Sequence, residues 1–158
     1  MKRTKVMSVG FILMLVLCMS AFGIRAQAEE GKKQIDGSWL TDESESIGYA
    51  RGSARGVDLM AGYSKCVRLP NGNLYAGGTT LAAHTVERIG LAVAVERAKE
   101  EDDSWEGYDA WILHDENADK LSSSKELEVE GGYYYRVVST HSANDDMTDS
   151  FTDGVFIE

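Results

Sequence analysis

Ile89, Leu91, Val93 and Val95 alternate with Gly90, Ala92, Ala94 and Glu96, and this period of two constrains the chain more than any other feature. Successive side chains of a strand point to opposite faces, so the four large residues share one face. A helix over residues 86–98 competes, because Ala, Glu and Arg favour helices. The unbroken alternation and the β-branched side chains favour the strand.

Other runs read the same way. Residues 57–69 and 74–83 flank Pro70-Asn71-Gly72-Asn73, and Asn-Gly between apolar runs signals a tight turn, hence a hairpin. Gly77-Gly78 within the second run marks a bulge or a close backbone contact. Residues 105–114 alternate Tyr108, Ala110 and Ile112 with Trp111 and Leu113. A polar connection over 116–124, a short strand at Leu127 and Val129, a Gly131-Gly132 turn, a strand over 133–141, an acidic loop and a closing strand over 151–157 follow. Six or seven short strands joined by turn-rich loops predict an all-β fold, an antiparallel β-sandwich over residues 57–158. Residues 29–56 are polar and rich in Gly, Ser and Glu, and read as an N-terminal arm or linker that packs one or two apolar side chains on the domain.

The first 28 residues predict a secretory signal peptide. Lys2, Arg3 and Lys5 precede an apolar run, and Ala26-Gln27-Ala28 is a small-x-small cleavage pattern. Ser8, Gly10, Ser20 and Gly23 dilute the run below what a membrane anchor needs. Leu17 before Cys18 departs from a lipoprotein signal. Removing 28 residues from 158 leaves 130, with 12 basic and 26 acidic side chains and a formal charge of −14. That charge argues against a nucleic-acid partner and against an anionic membrane surface after signal cleavage. Cys66 alone survives cleavage, so the folded domain is expected to hold without an intrachain disulfide, with Cys66 as a packed side chain.

The spread Gly77-Gly78-Thr79-Thr80, Trp105, Asn117-Ala118, Gly132-Tyr133-Tyr134-Tyr135-Arg136-Val137 and His141-Ser142-Ala143 resembles a family of small exported proteins of clostridia-like Gram-positive bacteria without an assigned activity. The segment Leu127 to Val137 also resembles the turn and Tyr-containing strand of immunoglobulin-like and fibronectin-type sandwiches, with a tyrosine-corner analogy. The resemblances imply an exported compartment and a β fold, and carry over no catalytic residue.

Several residue patterns suggest chemistry. Asp115, Asn117, Asp119 and Glu126 match the ligand spacing of an EF-hand calcium loop, but Lys120 stands where Gly permits the turn and neither flank reads as a helix. A solvated polar loop is the plainer reading. Asn144, Asp145, Asp146, Asp149 and Asp153 form a second acidic stretch, either calcium-binding or merely hydrated. His84, His114 and His141 fall near strand ends and would form a zinc site only if they converged. No G-x-S-x-G motif is present. Trp105, Tyr108, Trp111 and Tyr133 to Tyr135 could form an aromatic platform or pack as core. Tyr134 and Arg136 share one strand face and, with Trp105 and Trp111, are the expected binding residues.

The sequence therefore predicts a secreted, extracellular, non-enzymatic recognition module at or near the cell envelope, with an unknown protein or glycan ligand and no required cofactor, calcium remaining open. The alternatives are a secreted inhibitor or immunity-type protein that binds a basic partner, and an envelope-acting hydrolase.

Overall fold

A computed structural model describes residues 32–50 and 56–158 of the chain; the expected signal peptide lies outside the described residues. The alternation at 89–95 buries Ile89, Leu91, Val93 and Val95, each 1% exposed or less. The nine strands are β1 (Gln34–Ile35), β2 (Ser38–Thr41), β3 (Glu45–Tyr49), β4 (Leu59–Arg68), β5 (Leu74–Ala98), β6 (Glu106–Leu127), β7 (Tyr133–Ala143), β8 (Asp146–Phe151) and β9 (Gly154–Ile157). They form one all-β, mostly antiparallel, mixed sheet ordered β1-β2-β9-β7-β5-β4-β3, with β6 on β5 and β8 on β7.

Two strands are longer than the sequence runs suggest. β5 joins the second and third runs into 25 residues. β6 joins the fourth run to the polar connection and reaches Leu127. Neither stretch contains a proline, and Gly77-Gly78 of β5 stays in the ladder, opposite Lys65 and Ser64 on one side and Ser124 and Ser123 on the other. The polar residues of β6 cost nothing on an edge strand, because most of their side chains stay in water.

The sheet curls because this long β5–β6 ribbon bends. At the bend, residues 82–85 of β5 oppose the single residue Asp119 of β6. The inward side chains fall on even positions through Val86 (Leu74, Ala76, Thr80, Ala82, Val86) and on odd ones from Ile89 (Ile89, Leu91, Val93, Val95). The surplus of residues on β5 bends the ribbon, as a bulge bends its strand. On β6 the bend falls at Asn117, with φ of 53°. The two halves of β6 then meet side by side. Lys125 Nζ lies 2.9 Å from Asp109 Oδ2 and 4.4 Å from the centre of the Trp111 ring, and Trp111 Nε1 donates to Ser123 Oγ at 3.0 Å.

β4 flanks the first half of β5 and β7 the second, so the bend brings β4 over β7 and β8. The enclosed core holds Leu59, Cys66, Leu74, Val86, Ile89, Leu91, Val93, Val95, Tyr135, Val137, Val155 and Ile157. A Cβ at Gly62 would meet the His141 ring at 2.3 Å, so only glycine lets β4 approach β7 this closely.

Residues 34–49, read from sequence as part of an arm, supply three strands of this sheet. β3 pairs antiparallel with β4, and β2 pairs parallel with β9. Ile35 and Leu40 are buried with Ala98. Lys32–Glu158 is one compact unit. Tyr135 donates from its hydroxyl to the Glu130 carbonyl at 2.8 Å, five residues upstream, and so ties the turn at 131–132 to the start of β7.

Candidate functional site

The outer face of the β4–β5–β6 half carries a hollow of about 230 Å³. The turn at 70–73 sets its register. Gly72 donates from its amide to the Leu69 carbonyl and takes φ of 82°, and Asn71 Oδ1 accepts from the Asn73 amide at 3.1 Å. Three rungs follow outward: Val67 opposite Tyr75 opposite Glu126, Lys65 opposite Gly77 opposite Ser124, and Tyr63 opposite Thr79 opposite Ser122. With no side chain, Gly77 leaves a gap at the centre of the middle rung. A Cβ there would come within 2.8 Å of both the Ser123 carbonyl oxygen and Ser124 Cβ, so β6 also relies on glycine to close against β5.

The rim is chemically mixed. Tyr63 and Tyr75 are half-buried and supply aromatic surface beside Gly77. Tyr49 stands 67% exposed next to Tyr63, ring centres 6.2 Å apart and tilted by 51°. Thr79 and Ser122 share a hydroxyl–hydroxyl bond of 2.9 Å. Lys65 Nζ lies 2.9 Å from Glu45 Oε2. At the lower end Glu126 accepts from Asn71 and Asn73 side-chain amides at 3.1 and 2.8 Å, which hold its carboxyl below the usual range.

The residues singled out from sequence lie elsewhere. Trp105, Tyr134 and Arg136 do converge, beneath β1 and β2. Arg136 is 5% exposed; it donates to Glu96 Oε2 at 2.7 Å, to the Asp36 carbonyl and Ser38 Oγ at 3.1 Å, and to Asp36 Oδ2 at 3.2 Å. Its guanidinium lies 4.7 Å from the Trp105 ring centre, and Trp105 Nε1 donates to the Ile35 carbonyl at 2.9 Å. Tyr134 packs with Ile35, Leu40 and Phe156, and burial raises its hydroxyl pKa. This cluster clamps the N-terminal strands to β7. Trp111 sits apart, where the two halves of β6 meet. Its neighbour Lys125, by hydrogen bonding, lowers the Asp109 carboxyl pKa.

The candidate cation ligands are also spread out. Asp115, Asn117 and Asp119 lie along β6 at its bend. Seven steps along the extended strand, about 23 Å, separate Asp119 from Glu126. Of the second acidic stretch, Asp146 Oδ2 accepts from the Asp58 and Leu59 amides at 2.8 and 3.1 Å, Asp149 from Thr140 Oγ1 at 2.6 Å, and Asp153 from the Trp39 amide at 2.9 Å. They anchor strands to one another. Among the described residues, no three His, Cys, Asp or Glu side chains gather as metal ligands.

The three histidines do not meet. His84 is exposed at the bend, 3.0 Å from Asp58 Oδ1, and His114 is exposed on β6. His141 is fully buried, with Nε2 2.8 Å from Ser150 Oγ and Nδ1 2.9 Å from Thr80 Oγ1. Ser150 Oγ lies 2.7 Å from Ser64 Oγ, which is 2.8 Å from Ser139 Oγ. A serine beside a histidine is the pairing of a nucleophile and its base. Here both are at most 1% exposed, and burial pushes His141 down to about 4. The network ties β4, β5, β7 and β8 together from inside, where no substrate reaches it.

The rim residues Tyr63, Lys65, Tyr75, Ser122 and Ser124 were not singled out from sequence. The Asn-Gly turn carried the signal: folding 57–69 back on 74–83 puts Tyr63, Lys65, Tyr75 and Gly77 on one outward face. Comparison of the chain with protein-family models, curated proteins and solved structures gives no match.

Proposed function

We propose that this protein is a secreted, non-enzymatic recognition module of the β-sandwich type that works at or near the cell envelope. The hollow over Gly77 carries this reading. It is an outward, partly aromatic, hydroxyl-lined depression on a rigid three-strand floor, which is the form of a binding site. Its rim has no nucleophile–base pair and no paired carboxylates, and the one Ser–His pair described above is sealed in the interior. The apolar run with its small-x-small end at residues 26–28 supports export.

Co-sedimentation with isolated envelopes of the producing bacterium tests the reading. The purified protein is expected in the pellet, and a Tyr63→Ala/Tyr75→Ala double variant in the supernatant. Wild-type protein that stays in the supernatant, or a double variant that pellets equally well, overturns it.

A further inference from the structure

We infer that the hollow over Gly77 is a subsite for one uncharged pyranose ring of a glycan, an inference that rests on the recognition reading above. The ring would sit over Gly77, its C–H face against the Tyr63 and Tyr75 rings and its hydroxyls toward Thr79, Ser122 and Ser124.

Size, charge and hydrogen bonding each point this way. At about 230 Å³ the hollow is smaller than the ~300–1,000 Å³ typical of pockets for drug-sized ligands, so it admits a single ring. Its one lining cation, Lys65, pairs with Glu45, and at the lower end the Asn71 and Asn73 amides hold Glu126 as an ionised carboxylate. In a chain of net charge −10, a rim whose cation is paired and whose lower end carries a carboxylate favours a neutral ligand over an anion. Hydroxyls both donate and accept, as sugar hydroxyls do, and flat aromatic rings supply apolar surface for the carbon face. A peptide is a poorer match. β5 is hydrogen-bonded to β4 and to β6 throughout the floor, so a peptide adding as a strand would pair along the outer edge of β6 rather than fill the hollow over Gly77.

Isothermal titration of the purified chain with cellohexaose, xylohexaose, mannohexaose and chitohexaose tests this, with oligogalacturonate as the charged comparison. At least one neutral oligosaccharide is expected to bind saturably. Tyr75→Ala should weaken that binding about tenfold, by loss of the buried aromatic surface, while Tyr75→Phe retains it. Tyr75→Phe should keep the wild-type melting temperature, and Tyr75→Ala should keep the wild-type circular dichroism spectrum, since Tyr75 lies on the outer face. Failure of every neutral oligosaccharide, or tighter binding of oligogalacturonate, overturns the uncharged-pyranose assignment. If envelope co-sedimentation persists in that case, the recognition reading stands without it. Binding that Tyr63→Ala and Tyr75→Ala both leave unchanged removes the subsite from this hollow.

Discussion

Protonating His141 opposes folding, because burial removes its ring from solvent and the nearby Asp149 charge offsets this only in part. Thr80 Oγ1 donates to the Gly90 carbonyl at 3.0 Å, so its oxygen is left to accept from His141 Nδ1–H. Nε2 then accepts from the Ser150 hydroxyl, an assignment made from the network. The unfolded chain takes up the proton near 6.5 and the native ring only near 4. Between those values the unfolded state binds more protons, so stability falls as pH drops from about 6.5 to about 4, by up to ~3 kcal/mol, and this contribution is flat on either side. Urea unfolding from pH 7.5 to 4, with His141 ring shifts followed by NMR, checks it; a ring that titrates near 6.5 in the native state would contradict it. Glu126 and Asp109 add a separate loss at lower pH, because their folded pKa values are depressed.

Two elements depend on single residues in testable ways. Asn117 holds the left-handed conformation at the β6 bend, and asparagine tolerates it where β-branched side chains do not. Asn117→Val should destabilise by about 1–2 kcal/mol and Asn117→Gly should be nearly neutral; thermal melts of the pair decide, and equal effects would mean the bend is not set by this residue. The N-terminal strands depend on Arg136. Arg136→Met should cost roughly 3 kcal/mol, because Glu96 is left in a half-buried position without its cation. It should also raise hydrogen exchange at Leu40, whereas global loosening would raise exchange equally at Val93. What could be read from sequence follows the same physics. The strand at 89–95 and the turn at 70–73 were legible because a buried face and a left-handed glycine each leave a local pattern. The second half of β6 was not, since most of its side chains are exposed and an edge strand in water needs no alternation. Arg136 was misleading for a related reason: its strand face is polar, yet β1 and β2, themselves polar segments, cover it. For the site, Gly77-Gly78 was legible as a close backbone contact. Tyr63 and Tyr75 lie apart in sequence and meet only through the hairpin register.

Across the whole molecule, the two halves of the curled sheet share the strands β5 and β6, which ties their unfolding together. Cys66 reports on this. It projects from β4 into the core at 0% exposure, its Sγ donates to the Tyr135 carbonyl of β7 at 3.3 Å, and burial pushes its thiol up to about 12. Reagent can reach Sγ only if β4 leaves β7. That separation also breaks the Ser64–Ser139 and Ser64–Ser150 bonds and uncovers the His141 ring over Gly62. Opening one half alone would leave buried hydroxyls unpaired at about 1–3 kcal/mol each, so partial opening gains little over global unfolding. Alkylation of the Cys66 peptide, followed by mass spectrometry across a urea series, should therefore have the same midpoint and slope as circular dichroism. A shallower urea dependence for alkylation would show that the β4 half opens alone and that the bend acts as a hinge.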